Sequence, residues 1–317
     1  MKDSKHKILT LAALTTIAAG VIHLTNRVIV ASSQLKEMLD FSNHNYYNWR
    51  FGKIYYTKKG KGSPLLLIHD TMPGASGYEW SRVEDQLAQE HTVYTLDLLG
   101  CGRSEKAGIT YTNFLFVQII CDFIKNVIKE KTDIIASGFS CSFVTTAAAY
   151  DKESINKIMF INPVSMISLA QTTTKKDKLF KFFIELPIFG TFIYHIIVSR
   201  ETINDFFLDK LYYNPFHVDK DVLDAYYEAA HKGGYYAKCL YSSQSAKYMN
   251  INIRHAVESI DNSIYIVEGE DEPNGAAIVE AYQKVNPAIE SATIPCSKHF
   301  PHIENVDAFL EQVGAFF

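Results

Sequence analysis

Apolar residues along this chain form short continuous runs that alternate with longer segments in which apolar positions recur at helical spacing. The runs predict buried strands over residues 65–68, 91–98, 133–136, 158–161, 263–268 and 292–294, with two further short strands around Gly52. The helical spacing predicts helices over residues 79–89, 111–129, 142–150, 275–284 and 306–317. Continuous apolar strands that alternate with helices are typical of a parallel sheet covered on both faces. The body of the chain is therefore predicted to be an α/β fold with a mostly parallel sheet.

One long segment, residues 166–257, interrupts this alternation because it contains no clear strand. Its pattern is helical and rich in Phe, Tyr and Ile, and it is too long and too apolar for a loop. It is therefore predicted to be a helical cap inserted between two strands. The expected organisation is an N-terminal segment (1–44), an α/β domain built from 45–165 and 258–317, and the cap.

The N-terminus carries a long apolar stretch. Residues 8–24 include only one His and three Thr as polar groups, and Lys2, Lys5 and Lys7 precede them. A bilayer core needs about 20 apolar residues as a helix, so a single membrane-anchoring helix is predicted over roughly residues 8–30. Residues 32–44 are then a linker. The flanking lysines favour a cytoplasmic N-terminus and a body outside the cytoplasm.

Two alternatives to a membrane anchor remain open. The first is a cleaved signal peptide, although the best small-residue cleavage site, Ala31-Ser32-Ser33, comes late and after Arg27. The second is a soluble helix that packs on the body of the protein. Either alternative would leave the body without a membrane anchor.

Composition and charge narrow the classes of function. With 47% apolar and 21% charged residues among 317, the chain is neither disordered nor of low complexity. The net charge of −4 gives no support to a nucleic-acid partner, which would require a basic face. The five cysteines are odd in number and include no C-x-x-C pair, so neither a disulfide framework nor a zinc ribbon is expected.

A buried strand at 134–136 runs through Ser137 into the sequence Gly138-Phe139-Ser140-Cys141-Ser142 and then into a helix. This is close to the G-x-S-x-G nucleophile elbow, with Ser142 in place of the second Gly. Such a turn is tight, so its flanking positions must be small, and it holds the serine out at the carboxyl edge of the sheet. The amide N–H groups at the start of the helix point to the same place. Ser140 is therefore the candidate nucleophile.

A serine nucleophile needs a base and an acid that orients it. His299 follows the last predicted strand, and three adjacent carboxylates, Glu270, Asp271 and Glu272, follow the strand before it. From the residues alone, the identity of the acid depends on register. His299 and His302 could suggest a metal, but two histidines without a third ligand at fixed spacing are weak evidence, so no metal and no cofactor is expected.

Four motifs occur in an order that resembles the α/β-hydrolase superfamily, in its capped serine hydrolases of the lipase/esterase-like or proline-iminopeptidase-like branch. The resemblance covers about residues 46–317, and the motifs are 67–76, resembling H-G-x-x-G-S; 97–104, matching D-x-x-G-x-G-x-S; 138–142, the elbow; and 298–304, resembling G-H-x-P-x-x-E. Two departures stand out: Asp70 replaces the usual Gly of the first motif and Lys298 the Gly of the last. In the second motif Glu105 stands where a dinucleotide-binding loop would have its third Gly, which excludes that function.

The resemblance implies a Ser-His-acid triad. The family's acid usually stands three residues after the glycine that ends its strand, which makes Glu272 the first choice and Asp271 the alternative. His299 would take the proton of Ser140 as it attacks a carbonyl group.

The resemblance also implies an oxyanion hole. The oxyanion would bind the backbone N–H groups of Cys141 and Thr71. The side chain of Asp70 is expected to point away from the site, since a carboxylate facing the oxyanion would be unfavourable.

The expected activity is hydrolysis of a carboxylic ester, or a related acyl bond, of a small apolar substrate. The aromatic cap would line an apolar pocket, and the basic group at 175–181 leading into an apolar stretch is compatible either with a membrane-surface helix or with an ordinary cap helix. Two alternatives are a non-catalytic binding protein of the same fold and a different reaction of the same triad, such as acyl transfer, perhydrolysis or C–C cleavage. A serine nucleophile argues against dehalogenase or epoxide-hydrolase chemistry, which relatives perform with Asp.

Overall fold

The computed structural model describes residues 2–39 and 45–317 and contains eight strands within them. The strands are β1 (Asn45–Trp49), β2 (Gly52–Lys59), β3 (Ser63–Ile68), β4 (His91–Leu96), β5 (Thr132–Ser137), β6 (Ile155–Ile161), β7 (Ile264–Gly269) and β8 (Glu290–Ile294). They form one sheet in the order β1-β2-β4-β3-β5-β6-β7-β8. The β1–β2 and β2–β4 pairs are antiparallel and all the others are parallel. The predicted α/β fold with a mostly parallel sheet is therefore confirmed.

Fourteen α-helices accompany the sheet in the described residues. They are α1 (Lys2–Ser33), α2 (Glu84–Leu87), α3 (Asn113–Phe123), α4 (Ser140–Tyr150), α5 (Met166–Leu169), α6 (Lys175–Glu185), α7 (Phe189–Ile197), α8 (Arg200–Phe206), α9 (Lys220–His231), α10 (Lys238–Ser245), α11 (Arg254–Ser259), α12 (Gly275–Val285), α13 (Pro301–Glu304) and α14 (Val306–Phe316). Short 3₁₀ turns occupy Gly77–Trp80, Pro215–His217 and Gly234–Tyr236, and π-turns occupy Ile124–Ile128 and Phe207–Leu211. The helix predicted over 79–89 is thus only a 3₁₀ turn and α2.

The sheet has an apolar core on each face. Along β3, Leu66 and Ile68 pack on one side with α3, α4 and α12, while Leu65 and Leu67 pack on the other with α14. This division follows from the period of two in a strand. All six residues of β5 are buried, as expected for the central strand of a parallel sheet.

Parallel register brings the carboxyl ends of three strands to one edge of the sheet. Ile68 at the end of β3 pairs with Ala136 of β5, and Ser137 pairs with Ile161 at the end of β6. The residues that follow these strands therefore meet at this edge, which is where ligands bind in open parallel sheets.

Between β6 and β7 the described chain is helical and contains no strand; α5 to α11 lie there. We call this stretch the inserted helices. The cap boundaries at residues 166 and 257 stay a prediction, because the positions of the helices do not by themselves show where one domain ends and another begins.

The apolar N-terminal helix is also present, as α1. Residues Leu9–Ser33 of this helix are long and apolar enough to cross a membrane, and only 6% of the most apolar window is buried. A signal sequence near an N-terminus would have the same properties. Part of the predicted linker, residues 40–44, lies outside the described residues.

Candidate active site

The turn after β5 is the first element of the site. Gly138 has φ +54°, a left-handed conformation that favours glycine, and α4 begins only two residues later, at Ser140. The sharp strand-to-helix turn is therefore made by Gly138, and the expected elbow register is shifted by two residues. The segment 136–140 also has a small residue at each end and glycine in the middle, and this spacing could have revealed the alternative register.

Ser140, the predicted nucleophile, points into the protein. It is fully buried, and its Oγ donates a hydrogen bond to the backbone oxygen of His69 at 2.6 Å. Among the described hydrogen bonds none joins Ser140 to His299. The structure therefore ties Ser140 to the loop after β3 and does not bring the predicted nucleophile to the predicted base.

A carboxylate occupies the position that a nucleophile at the turn would take. A Cβ built on Gly138 would lie 2.3 Å from Cγ and Oδ2 of Asp70. Asp70 Oδ1 accepts hydrogen bonds from the N–H of Thr71 at 2.6 Å and the N–H of Phe139 at 2.9 Å. Its other oxygen, Oδ2, lies 3.5 Å from His299 Nε2. The expectation that Asp70 points away from the site is thus wrong.

The N–H groups of Thr71 and Phe139 converge on Oδ1 of Asp70. Of the two backbone donors predicted for the oxyanion hole, the structure therefore brings Thr71 to this point and does not bring Cys141 there. The N–H of Cys141 instead lies 3.4 Å from the oxygen of Gly138, within the helical turn, and its thiol is directed at the oxygen of Ala136. Because the turn is made by Gly138, two residues before Ser140, the residue after the turn is Phe139; the oxyanion hole itself stays a prediction.

His299 lies in the loop after β8, between two carboxylates. Its Nδ1 lies 3.4 Å from Glu272 Oε1, opposite the contact of Nε2 with Asp70. Asp271 has an exposed side chain, and Glu270 accepts a hydrogen bond from the N–H of Cys296. Of the three adjacent carboxylates, the structure therefore places Glu272 against the histidine.

The two carboxylates control the charge of His299. Burial disfavours the imidazolium, but the hydrogen bonds and negative charges of Asp70 and Glu272 outweigh it and raise the pKa of His299 to about 10. At neutral pH the ring is therefore positively charged. In the resting site, the imidazolium ring of His299 lies between the side chains of Glu272 and Asp70.

Asn162, which the sequence analysis did not identify, holds the histidine loop in place. Its Nδ2 donates to the backbone oxygens of Lys298 and His299 at 2.8 and 2.9 Å. Its Oδ1 accepts the N–H of Gly269 at 3.1 Å, at the end of the strand that leads to the acid. Asn162 thus ties the base and acid loops together from the end of β6. Its backbone has φ +44°, a conformation that Asn tolerates better than most residues.

Glu79 supports the site from beneath. It accepts hydrogen bonds from the Ser137 hydroxyl and from the N–H of Asp70, the latter at 3.2 Å, and it lies 3.5 Å from Nε2 of His302. His302 is therefore directed at Glu79, away from His299. Within residues 2–39 and 45–317, no three His, Cys, Asp or Glu side chains are arranged to hold a metal ion.

A mostly parallel eight-stranded sheet, with a tight strand-to-helix turn, a histidine and an acid at its carboxyl edge, is the architecture of an α/β-fold hydrolase. The chain belongs to the alpha/beta hydrolase family, whose model matches residues 65–312. This confirms the resemblance that the four sequence motifs carry.

The chain is similar to two curated hydrolases. It is 28% identical to 2-hydroxy-6-oxo-6-(2'-aminophenyl)hexa-2,4-dienoic acid hydrolase of Metapseudomonas resinovorans over 114 residues. This aligned segment covers 35% of this chain and 39% of that protein. It is 29% identical over 109 residues to a soluble epoxide hydrolase of Corynebacterium sp. (strain C12), covering 34% of this chain and 37% of that protein. The chain thus matches less than half the length of either relative.

Solved structures extend the similarity of fold. The serine hydrolase of carbazole degradation, the CarC enzyme, superposes with a TM-score of 0.70 at 18% identity over 86% of this chain and 98% of that one. A membrane phospholipase A gives 0.68 at 17% identity over 98% of this chain and 97% of that one. At these identities the likeness concerns the fold.

Proposed function

We propose that this protein hydrolyses small apolar molecules at a saturated carbon atom, with Asp70 instead of Ser140 as the covalent nucleophile. His299 is the acid and base, and Glu272 orients it. The observation that supports this function is the position of the Asp70 carboxylate: one oxygen is held by two backbone N–H groups and the other faces His299. Carboxylates serve as nucleophiles in several classes of hydrolase.

A carboxylate nucleophile favours a saturated carbon over an acyl carbon. When a carboxylate adds to an ester carbonyl, the tetrahedral adduct expels the carboxylate more readily than the alkoxide, because the carboxylate is the weaker base. At a saturated carbon the leaving group departs as the new bond forms. An epoxide or another alkylating agent is therefore the expected substrate class, in agreement with the relative that is an epoxide hydrolase.

In the first step, Asp70 Oδ2 forms a bond to the carbon and the bonding electron pair leaves with the oxygen of the opened epoxide. The imidazolium of His299 donates its proton to that oxygen. An ester of Asp70 and a neutral imidazole result. Because the ester carries no charge, one of the two groups that raise the pKa of His299 is lost, and the ring becomes able to accept a proton.

In the second step, water attacks Cγ of the Asp70 ester while His299 takes one of its protons. The N–H groups of Thr71 and Phe139 already bind the oxygen of Asp70 on which negative charge develops. Collapse of the adduct releases the alkoxide, which takes the proton of the new carboxyl group. A diol leaves, and the Asp70 carboxylate and the His299 imidazolium are restored.

Hydrolysis of a carboxylic ester by Ser140 is the second candidate, and it is favoured by esterase relatives. One pimeloyl-[acyl-carrier protein] methyl ester esterase, from Aliivibrio fischeri, is 38% identical over 67 residues, 21% of this chain and 25% of that protein. This candidate requires the turn and the Ser140 side chain to rearrange, since the Ser140 hydroxyl is bonded to His69.

The isotope content of Asp70 tests the proposal. After turnover of an aryl epoxide in water labelled with a heavy oxygen isotope, mass spectrometry should find the label in the peptide that contains Asp70, because water attacks the enzyme carboxyl group. Asp70→Asn should abolish turnover, and Asp271→Asn, an exposed neighbour of the acid, should not. Ester turnover and fluorophosphonate labelling that both disappear in Ser140→Ala would support the serine mechanism instead. Binding without turnover of either substrate would support a non-catalytic protein.

We also propose that α1 anchors the chain in a membrane with its body outside the cytoplasm, and that the inserted helices form a cap over the site. The apolar composition of Leu9–Ser33 supports the anchor. The packing of Phe300, next to His299, against Phe207 and Tyr226 of the inserted helices supports the cap. The mass of the membrane-extracted protein tests the anchor, since a cleaved signal peptide would be missing from it.

A further inference from the structure

The second half of helix α6 reverses part of the usual arrangement of a water-soluble domain, since it buries a lysine and exposes several large apolar side chains. Its buried residues are Lys181 and Ile184, whereas Leu179, Phe182 and Phe183 are 56%, 59% and 49% exposed. In water such a helix would turn its aromatic side chains towards the protein and its lysine outwards.

Helix α7 shows a similar partial reversal. It buries Thr191 and His195 together with the aromatic Tyr194, while Phe189, Ile193 and Ile196 are 44%, 41% and 55% exposed. We call these outward residues of the two helices the α6–α7 apolar face: Leu179, Phe182, Phe183, Phe189, Ile193 and Ile196. Large contiguous apolar surfaces of this kind mark a site of interaction with a protein or a membrane.

Several polar groups under this face have partners inside the protein, while His195 stacks on the ring of His231 and neither of its ring nitrogens has a hydrogen-bond partner among the described residues. Lys181 forms an ion pair with Glu185, which also accepts a hydrogen bond from Ser242 at 2.7 Å. Lys238 donates to Thr191 Oγ1 at 2.9 Å. Since Lys181 and Thr191 have partners within the protein, these two groups need no water at the outer surface of α6 and α7, which favours contact with hydrocarbon.

Helix α1, which packs beside α7, indicates what contacts the α6–α7 apolar face. Helix α1 packs along α7, and Asn26 of α1 donates a hydrogen bond to the oxygen of Ile188, the residue just before α7, at 3.0 Å. Taken together, α6 and α7 are also apolar enough to enter a membrane, but they meet at a bend of 103°. Such a bent pair cannot cross as one straight helix and can dip into one side of a bilayer.

We propose that the α6–α7 apolar face is immersed in the hydrocarbon of the membrane that α1 spans. The inference rests on the membrane anchor proposed above. The exposed lysines Lys175, Lys176 and Lys178 stand at the start of α6, where they meet the phosphate groups of anionic lipids. Asp177 among them is paired with Lys247 at 3.2 Å, so the acid's charge is offset within the protein.

This arrangement brings the site to the membrane surface, because the same inserted helices cover it. The N–H of His299 donates to the oxygen of Leu211 at 3.0 Å, and Phe300 packs on Tyr226. A substrate dissolved in the bilayer would therefore reach the inserted helices that cover the site without crossing bulk water. The substrate class that follows is a lipid-soluble electrophile.

Quenching of a tryptophan by lipids with brominated acyl chains tests the immersion in the full-length protein. Phe182→Trp places the probe on the α6–α7 apolar face. The matched control is Tyr150→Trp, because Tyr150 is 75% exposed at the far end of α4, on the opposite edge of the sheet. The native residues Trp49 and Trp80 are only 8% and 0% exposed, so the wild type provides the background.

In vesicles of phosphatidylcholine and phosphatidylglycerol, the Phe182→Trp probe should be quenched several-fold more strongly than the Tyr150→Trp probe. Omitting phosphatidylglycerol should weaken this quenching through loss of the contacts with the three lysines. Equal quenching of the two probes in vesicles that still carry the protein on flotation would overturn the inference and leave the anchor intact. Failure of the protein to float would overturn both. Neither result bears on Asp70, whose test is isotope transfer.

Discussion

Helices α4 and α6 have eleven residues each but bury opposite kinds of side chain. Helix α4 buries Phe143 and Val144 against the sheet, whereas α6 buries Lys181 and exposes Phe182. Neither choice follows from the helix alone, since both helices contain aromatic and polar residues. The medium opposite each helix decides which face is apolar: for α4 that medium is the sheet and its core, and for α6 we infer that it is the bilayer.

The two regions also treat their polar groups differently. At the sheet edge beside α4, the carboxylate of Asp70 faces His299 and two backbone N–H groups. Beneath α6, Lys181 pairs with Glu185, which also accepts a hydrogen bond from Ser242. In the functions proposed above, the first region uses buried charge for chemistry, and the second uses it to leave its outer surface apolar.

The largest expected effect is a loss of turnover from a substitution at Gly138, in the turn before α4. Gly138→Ser adds a Cβ within 2.3 Å of the Asp70 carboxylate and places a side chain at a left-handed φ, so epoxide turnover should fall by about 10²-fold or more. The double variant Gly138→Ser/Asp70→Gly removes the clash and presents a hydroxyl at the turn. Fluorophosphonate should then label residue 138, and epoxide turnover should remain absent. Wild-type turnover in the single variant would contradict the proposed position of Asp70.

The orienting acid should matter next. Glu272→Gln keeps the size of the side chain but removes the charge beside His299, so kcat should fall by about 10²–10⁴-fold. Asp271→Asn is the matched control, since its exposed side chain should leave kcat unchanged. Steady-state kinetics with the same epoxide measures both. The opposite order of effects would show that Asp271 is the acid.

Most of the fold could be predicted because strand and helix patterns depend on local periodicity. His299 was also accessible from sequence, since it follows a strand whose carboxyl end lies at the same edge, whereas the choice of Glu272 among three adjacent carboxylates depended on the family resemblance. Asp70, the proposed nucleophile, was not accessible in this way. Both Gly138 and Ser140 are small residues after β5, and a linear pattern does not show which of them adopts the left-handed turn.

The direction of the Asp70 side chain depends on the same turn. Only because Gly138 lacks a Cβ is there room for the carboxylate between Thr71 and Phe139. The reversal of α6 was likewise hidden, because a basic group before an apolar stretch fits a solvated helix as well as a membrane-bound one. Burial of Lys181, which the sequence grouped with the exposed lysines, is the feature that separates the two.

A smaller effect is expected on the pH dependence of the free energy of unfolding, because it depends on the charge of His299. The pKa of His299 is raised from 6.5 to about 10, so between these values the folded state holds a proton that the unfolded state releases. The free energy of unfolding of the wild type, relative to Asp70→Asn, should therefore fall as pH rises through this window, by up to about 1.4 kcal/mol per pH unit. Denaturant titrations of both proteins at several pH values measure the difference. A pH-independent difference would show that Asp70 does not hold the imidazolium.

The smallest effect tests the comparison with one phenylalanine from each helix. Phe143 of α4 is fully buried and stacks on Phe116, so Phe143→Ala should lower the free energy of unfolding by about 3–5 kcal/mol. Phe182→Ser in α6 should change it by no more than about 0.5 kcal/mol, since the side chain has little protein contact to lose. Denaturant titration in a mild detergent gives both values. If the two losses were equal, Phe182 would pack in a protein core, and the contrast between α4 and α6 would disappear. A negligible loss at Phe182 means that its apolar surface contributes little to folding, as expected of a side chain that faces the bilayer.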